Sequence, residues 1–406
     1  MTRRVYITGT GIISAIGNSV EQVEKSLLSE RSGIGKITLF PTIHQDRLPL
    51  AEVKLSNTEL LDKIGKKENN NLTRTALLGM IAAREAIDDA GILKLNECPT
   101  GLISATTVGG MDRSEVFYEA YIQNPSRGRL RDVVNHDCGD STDRIATFLG
   151  IRDFVTTVST ACSSSANSLI LGAKLIKAGI LDRVIAGGTD AATLFTLNGF
   201  NTLMILDKNG CRPFDENRAG LTIGEGAAFL VLESDELVYK RKARIHAELS
   251  GYGNANDAYH QTASSPEGTG AILAIQQALA SGNLRPADID YINVHGTGTL
   301  NNDLSEGVAL ETIFGLNMPP FSSTKSYTGH TLGAAGAIEA IISILTMKNR
   351  CLFPNLNWTT PMKELSIRPV TGIIESYEVN HVLSNSFGFG GNNSALIISK
   401  PIDLIT

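Results

Sequence analysis

Residues 156–166, Thr-Thr-Val-Ser-Thr-Ala-Cys-Ser-Ser-Ser-Ala, mark the point where a β-rich run passes into a helical pattern. Apolar and small residues recur on one stripe after it, which predicts a mostly buried helix over about 160–178 with Cys162 in its first turn. Free N–H groups and partial positive charge at a helix N-terminus lower the pKa of a thiol. We therefore expect Cys162 to be a nucleophile. The alternative, an inert buried cysteine, is common for free thiols and is kept for the other four: Cys98, Cys138, Cys211 and Cys351.

The order of strands and helices around this segment recurs in the second half of the chain. Strands are predicted at 4–8, 100–106, 153–159, 182–187, 244–252, 291–294, 351–356, 382–385 and 394–399. Helices are predicted at 19–28, 70–91, 160–178, 267–281 and 333–348. Alternating strands and helices favour α/β layers with mostly parallel sheets. We therefore predict a duplicated α/β/α/β/α body, with an N-terminal half over 1–240 that carries the nucleophile and a C-terminal half over 241–406.

The composition excludes several classes of protein. Of 406 residues, 42% are hydrophobic and 19% are charged, so a sizeable core can be buried. A net charge of −6 argues against a global nucleic-acid surface. The five cysteines show no CxxC pair and no metal-type spacing, which indicates reduced thiols. Because no apolar stretch is long enough to span a membrane, we expect a cytoplasmic protein.

Two later loops carry candidate partners for Cys162. His295 follows strand residues and opens a loop rich in glycine and threonine. Lys325 and His330 precede another helix of small residues, in which Glu339 stands among apolar neighbours. A carboxylate there is costly unless it is paired, and Lys325 is the obvious partner. Each histidine alone is more often a structural hydrogen-bonding group, but the combination is far more specific than any member.

The glycine patterns point away from a nucleotide cofactor. Residues 385–393, Asn-Ser-Phe-Gly-Phe-Gly-Gly-Asn-Asn, allow a tight turn that can present N–H groups to a ligand. The Gly9-x-Gly11 pair after the first strand lacks the third glycine of a dinucleotide fingerprint, because Ser14 stands there. No Walker-type phosphate loop is found, and no cofactor is expected.

On these motifs the sequence resembles the elongating β-ketoacyl-[acyl-carrier-protein] synthases of the thiolase superfamily, over nearly the whole chain. The matching motifs are Thr160-Ala-Cys162-Ser, His295-Gly-Thr-Gly-Thr299, Thr328-Gly-His330-Thr-Leu-Gly-Ala-Ala-Gly336 and Asn385-Ser-Phe-Gly-Phe-Gly-Gly391. The resemblance implies a five-layered thiolase-like fold, a homodimer, and a catalytic triad of Cys162, His295 and His330. Lys325 and Glu339 match the lysine and glutamate that support this triad.

The resemblance also implies a reaction, the decarboxylative Claisen condensation. Cys162 takes an acyl group from acyl carrier protein, malonyl-acyl carrier protein then loses CO2, and its carbanion attacks the thioester. Backbone N–H groups of Cys162 and Phe389 are implied as donors to the acyl oxyanion, and Phe389 as a gate. Neutral His295 and His330 are implied to stabilise the enolate, with the charge of Lys325 favouring the neutral form of His330.

Further roles follow from the same resemblance. Thr297 and Thr299 resemble the residues that contact the pantetheine of the malonyl carrier. Asp303 and Glu306 match a pair that lies near a structural cation in some members, and plain surface acids are the alternative. Because carrier protein is acidic, a local basic patch is expected, with the candidates Lys63, Lys66, Lys67, Arg127, Arg129 and Arg131.

Two stretches depart from the family pattern. Residues 135–143, Asn-His-Asp-Cys-Gly-Asp-Ser-Thr-Asp, are more polar than the matching stretch near the far end of the acyl pocket, and 206–211 are shortened. These differences favour a shorter, unsaturated or aromatic-primed chain, as in polyene or other polyketide-type pathways, over an ordinary long fatty acid. The alternative is that the acids pair across the dimer interface.

Three other functions compete with a condensing enzyme. A non-catalytic subunit resembling a chain length factor would typically lose the nucleophile, which is present here. A thiolase would carry a second cysteine late in the chain, where 387–391 have none. A starter-condensing synthase primed by CoA would carry asparagine in the place of His330.

Overall fold

The computed structural model describes residues 3–67 and 71–401, and its elements alternate along the chain. The strands of these residues are β1 (Val5–Ser14), β2 (Ile34–Gly35), β3 (Leu50–Ala51), β4 (Thr100–Ala105), β5 (Phe154–Val158), β6 (Arg183–Asp190), β7 (Gly226–Ser234), β8 (Ala247–Asn256), β9 (Tyr291–Asn293), β10 (Phe321–Ser322), β11 (His381–Gly388) and β12 (Asn392–Ser399). The α-helices are α1 (Val20–Leu28), α2 (Asn57–Lys63), α3 (Arg74–Asp89), α4 (Met111–Gln123), α5 (Cys138–Leu149), α6 (Ser164–Lys177), α7 (Leu194–Thr202), α8 (Asp235–Arg241), α9 (Thr269–Gly282), α10 (Leu300–Phe314), α11 (Lys325–Thr328) and α12 (Ala335–Asn349).

Ten strands form one continuous sheet in the order β10–β9–β11–β12–β8–β1–β7–β6–β4–β5. The five strands from β1 outward repeat the relative order and direction of the five from β8 outward. The two sets join where β1 pairs with β8 through Tyr6–Glu248 and Ile7–Ala247. The duplicated pattern predicted from the sequence is therefore present in the strand topology. The division into halves at 240 and 241 stays a prediction.

The prediction of mostly parallel sheets was wrong, because the sheet is mixed. The sequence interpretation missed β7, which runs antiparallel to both of its neighbours, β1 and β6. All nine residues of β7 are buried, so the strand lacks the alternation of apolar and polar residues that marks a half-exposed strand.

Side chains from the two faces of the sheet build the layers. On β7, Ala228, Leu230 and Leu232 pack into a central core with α6 and α12, whereas Phe229 and Val231 face α3 on the outside. Helices α9 and α10 cover the outer face of the second set of strands. The result is the five-layered α/β/α/β/α arrangement that was predicted.

Helix α12 lies in the middle layer and carries part of the site. Every residue from Ala335 to Thr346 is buried, so this helix is enclosed by neighbours on all sides.

The predicted helix over 160–178 begins at Ser164, because Ala161 takes a left-handed conformation. The strand predicted at 351–356 was wrong, since Leu352 forms only an isolated bridge with Ile374. Among the described residues, no helix combines the length and apolarity that crossing a membrane requires.

Candidate active site

Cys162, His295 and His330 meet although they come from three separate segments. Cys162 lies just before α6, His295 follows β9, and His330 lies between α11 and α12. One ligating atom from each residue lies within 4.8 Å of the other two. The two imidazole rings meet edge to face with centroids 5.3 Å apart, and all three side chains are buried. The predicted triad is therefore assembled in the structure.

The turn that presents Cys162 is strained and tightly held. Ala161 has φ of +53°, a value that residues with a side chain adopt at a cost. The hydroxyl of Ser164 accepts a hydrogen bond from the backbone N–H of Thr160 at 2.8 Å across this turn. Helix α6 begins only after it, with Ser163 as the N-cap. The turn thus separates the nucleophile from the helix by one residue.

The expected low pKa of Cys162 was wrong. Burial raises the pKa of this thiol to about 11, because a thiolate loses hydration there. The charge of Lys325 and hydrogen bonds from the backbone N–H groups of Phe389 and Cys162 lower it, but by less. The thiol is therefore protonated near neutral pH, and its proton has to leave during acyl transfer.

Both histidines are neutral. Burial lowers the pKa of His295 and of His330 well below 6.5, and the positive charge of Lys325 lowers both further. The predicted influence of Lys325 on His330 is present, although burial is the larger cause. A neutral imidazole has one N–H to donate, so this pair can supply two donors to one developing anion.

Lys325 and Glu339 form the predicted ion pair behind the histidines. Lys325 Nζ donates to Glu339 Oε1, and the two side chains are 1% and 3% exposed. Burial raises the pKa of Glu339 to about 7 against the opposing effect of Lys325. Among the described residues, Glu339 is the only acid that forms an ion pair with this buried ammonium.

Removing one member of this pair is expected to destabilise the fold. Replacing Glu339 by leucine leaves the buried charge of Lys325 without a partner, which should lower the free energy of unfolding by about 3–5 kcal/mol. The double variant Lys325→Met/Glu339→Leu removes both charges and should recover most of that loss. Urea denaturation of both variants measures the difference. The pair of exposed Lys363 and half-buried Glu216 offers a control, because Lys363→Met should change the unfolding free energy by less than about 1 kcal/mol. Equal losses in the single and double variants would contradict the expectation.

Asp303 and Glu306 lie behind the His295 loop and fix its backbone. Glu306 accepts from the backbone N–H of His295 and of Gly296, both at 2.8 Å. Asp303 accepts from the N–H of Thr297 at 3.0 Å. Both acids are fully buried, so the alternative of plain surface acids was wrong. Since backbone N–H donors surround these carboxylate oxygens, the pair fits an anchoring role better than a cation site. The structural cation stays a prediction.

A cavity of about 280 Å³ opens onto the triad. Thr297, Thr299 and Phe389 line it, and the ring of Phe389 stacks on Phe200 with centroids 5.9 Å apart. Their roles as carrier contacts and as a gate stay predictions. Phe200 and its neighbours Leu203 and Met204 were not identified from the sequence. They stand in an apolar run whose pattern carries no chemical signal, and only the position of α7 brings them to the cavity.

Asp190, at the end of β6, is a second group that the sequence interpretation missed. It is fully buried and accepts from the N–H of Val108 at 3.0 Å and of Gly333 at 2.7 Å, with further bonds from Thr106 and Thr107. These bonds tie the loop after β4 to the segment after His330. The sequence signal that could have identified Asp190 is an acidic residue at the end of an otherwise mostly apolar strand.

Comparison with known proteins finds matches over nearly the whole chain. The beta-ketoacyl synthase N-terminal domain matches residues 2–237, and the C-terminal domain matches 246–359. The 3-oxoacyl-[acyl-carrier-protein] synthase 2 of Staphylococcus aureus (strain COL) is 37% identical over 410 residues, with 98% of each chain covered.

Two solved structures are also similar. The ishigamide ketosynthase/chain length factor superposes with a TM-score of 0.93 at 34% identity, covering 99% of this chain and 100% of that one. A type II polyketide synthase ketosynthase, solved with its acyl-carrier protein and bound to the hexaketide, superposes with a TM-score of 0.89 at 25% identity and the same coverage. With its triad and its five layers in place, the chain belongs to the β-ketoacyl synthase family.

Proposed function

We propose that this protein condenses an acyl group, held as a thioester on Cys162, with malonyl-acyl carrier protein to form β-ketoacyl-acyl carrier protein. The observation that carries the proposal is the meeting of one thiol and two neutral imidazoles at a cavity, with sequence relatives named for this reaction. Each step can be written with residues that this chain supplies.

Acyl transfer comes first. The sulfur of Cys162 attacks the thioester carbonyl of the acyl carrier, the carbon–sulfur bond to the carrier breaks, and the proton of Cys162 ends on the carrier thiol. The carbonyl oxygen becomes negative in the transition state and needs preorganised donors. The backbone N–H groups of Cys162 and Phe389 support this role, because both lower the pKa of the Cys162 thiol by stabilising negative charge on its sulfur.

Decarboxylation and condensation follow. The bond to the malonyl carboxylate breaks, CO2 leaves, and the electron pair passes to an enolate that accepts from His295 and His330. Its carbon then attacks the acyl thioester, the bond from the acyl carbon to Cys162 breaks, and the departing thiolate takes up one proton from solvent. Burial and, to a smaller extent, the charge of Lys325 keep the imidazoles neutral, and Glu339 balances Lys325.

Acyl carrier protein is the proposed partner in both steps. The hydroxyls of Thr297 and Thr299 lie 2.9 Å apart on the cavity wall, where they can hydrogen-bond the amides of a pantetheine arm. The solved ketosynthase bound to its acyl-carrier protein supports the same kind of partner. The free cysteines and the lack of a membrane-spanning helix among the described residues support a cytoplasmic location.

The condensation itself is the direct test. Purified protein, an acyl-acyl carrier protein and malonyl-acyl carrier protein should yield a carrier whose mass shows the added β-keto unit, together with one equivalent of CO2. Mass spectrometry of the carriers measures the product. Failure to form it with short, unsaturated and long acyl carriers alike would contradict the proposed function.

A second subunit of the same fold is proposed to bind across β5. This strand is at the edge of the sheet and all five of its residues are half-buried. Helix α4 has no buried residue and exposes Val116, Tyr118 and Ile122. An unpaired strand edge and an exposed apolar helix face are each the kind of surface that a partner covers. We expect a homodimer of twice the 43.4 kDa chain mass, measured by light scattering on the purified protein.

The second candidate arrangement is a heterodimer with a chain length factor. The ishigamide structure, which is a ketosynthase/chain length factor pair, favours this alternative. A monomer that dimerises only when such a subunit is added would support it over the homodimer. Because this chain retains Cys162, His295 and His330, it would be the catalytic member of that pair, and an acyl adduct on Cys162 separates this role from that of the non-catalytic subunit.

The acyl chain is proposed to be shorter than an ordinary long fatty acid, unsaturated or aromatic-primed. Within the polar stretch 135–143, Asp140 pairs with Arg144 at 2.6 Å and accepts from Asn135 at 2.8 Å, while Asp137 and Asp143 are exposed. Asp140 is thus satisfied inside the subunit. Only the two exposed acids remain for pairing across an interface.

A further inference from the structure

We propose that Asn392 is a positioning residue that holds the two halves of the oxyanion hole together. The inference rests on the proposed function, in which the backbone N–H groups of Cys162 and Phe389 bind the acyl oxyanion. The two donors come from segments far apart in the chain, because Cys162 precedes α6 and Phe389 follows β11. Their relative position therefore depends on contacts between these segments. The side chain of Asn392 connects these segments.

The two segments approach each other closely. A Cβ on Gly388 would lie 2.9 Å from the carbonyl oxygen of Thr160 and 3.1 Å from the backbone nitrogen of Cys162. Any side chain there would push the Cys162 turn away from the turn that carries Phe389. The strained φ of Ala161 persists only where neighbours over-determine it, so bonds across this contact are needed.

Asn392 supplies those bonds through one oxygen atom. Its Oδ1 accepts from the hydroxyl of Ser163 at 2.7 Å, from Asn167 Nδ2 at 2.9 Å and from Asn254 Nδ2 at 2.9 Å. Ser163 directly follows the nucleophile, and Asn392 lies three residues after Phe389. One amide oxygen therefore joins the nucleophile turn, helix α6 and strand β8.

A second set of bonds closes the network. Asn167 Nδ2 also donates to the hydroxyl of Thr160 at 2.9 Å, on the other side of the strained turn. Asn254 Nδ2 also donates to Asn167 Oδ1 at 2.9 Å. The turn is thereby held on both flanks of Cys162. His295 and His330 have no bond to this network among the described residues, so decarboxylation should not depend on it.

The half-reactions separate the proposed role from a merely structural one. Acyl transfer is followed by the mass of the Cys162 adduct, and decarboxylation by CO2 released from malonyl-acyl carrier protein alone. In Asn392→Ala the rate of acyl transfer should fall about tenfold or more, since losing one oxyanion donor outright costs about 10²–10³-fold. Decarboxylation should stay within about twofold of the unchanged protein, because its donors are the imidazoles. Asn349→Ala removes bonds to Glu24 and Leu345 elsewhere and should change neither rate.

Equal losses in both half-reactions, or no loss in acyl transfer, would overturn the inference. A double variant adds a sharper check: Ser163→Ala and Asn392→Ala both break the bond between these two residues, so together they should cost less than the sum of the two single changes. Fully additive losses would contradict the direct link. If Asn392→Ala does not fold, Asn254→Ala removes one of the three donors from an exposed position and should slow acyl transfer alone. If the protein without any substitution forms no acyl adduct on Cys162 and releases no CO2 from malonyl-acyl carrier protein, the proposed function itself is refuted.

Discussion

Replacing Cys162 by alanine should abolish the acyl adduct and slow condensation by about 10⁴-fold or more, as loss of a covalent nucleophile does in other enzymes. The cavity and both imidazoles remain in this variant, so the malonyl carrier can still bind. Intact-mass spectrometry after exposure to an acyl-acyl carrier protein measures the adduct, and product analysis measures the condensation rate.

A matched control distinguishes loss of the nucleophile from loss of any thiol. Cys98 is half-buried and does not line the cavity at the triad, so Cys98→Ala should keep both the adduct and the rate. Decarboxylation of malonyl-acyl carrier protein should continue in Cys162→Ala, because the enolate donors are His295 and His330. An adduct of undiminished yield in Cys162→Ala would place the nucleophile elsewhere.

The second large effect is expected from His330. His330→Ala removes one of the two enolate donors, so release of CO2 from malonyl-acyl carrier protein should fall by about 10²–10³-fold. Acylation of Cys162 should fall far less, since its oxyanion binds backbone N–H groups. His330→Asn restores an N–H donor on a side chain that cannot be protonated, and it should recover a substantial part of the lost rate.

The dependence on pH tests the charge assigned to His330. Burial and Lys325 hold the pKa of His295 and His330 well below 6.5, so both rings stay neutral as the pH falls through that value. The rate of decarboxylation should therefore stay level across pH 6.5 in the unchanged protein. A rise toward acid would show that a protonated imidazole is the active form, and an equal loss of both half-reactions in His330→Ala would show a structural role.

The two buried histidines should each destabilise the fold on acidification for the same reason. An unfolded chain binds protons at both histidines below about pH 6.5, whereas the native state does not. At these two sites the unfolded state then holds more protons, so their contribution to the free energy of unfolding decreases as the pH is lowered. The carboxyl of Glu339, whose pKa burial raises to about 7, contributes in the opposite direction. Keeping His295 and His330 neutral suits the proposed chemistry, but it lowers the contribution of these residues to the free energy of unfolding at acidic pH.

Short motifs made the main site residues predictable from the sequence. Cys162 stands among small residues at the end of a β-rich run, and His295 and His330 each open or precede a glycine-rich segment. Glu339 is a lone acid in an apolar helix, which requires a partner, and Lys325 is that partner in the structure. These are local features of composition and spacing, so the chain order alone reveals them. The recurrence of elements between the halves is visible for the same reason.

Other properties depend on residues far apart in the chain, and only the tertiary structure decided them. The pKa of Cys162 is raised because distant segments exclude water from its sulfur, which outweighs the adjacent helix. Ser163 and Asn392 are 229 positions apart, and their hydrogen bond exists only because β12 lies against the turn before α6. The anchoring of the His295 loop by Asp303 and Glu306 likewise became visible only when α10 was seen to turn these acids inward. The sequence by itself determined which groups can react; burial and long-range hydrogen bonding, which no local pattern encodes, determined their charge and position.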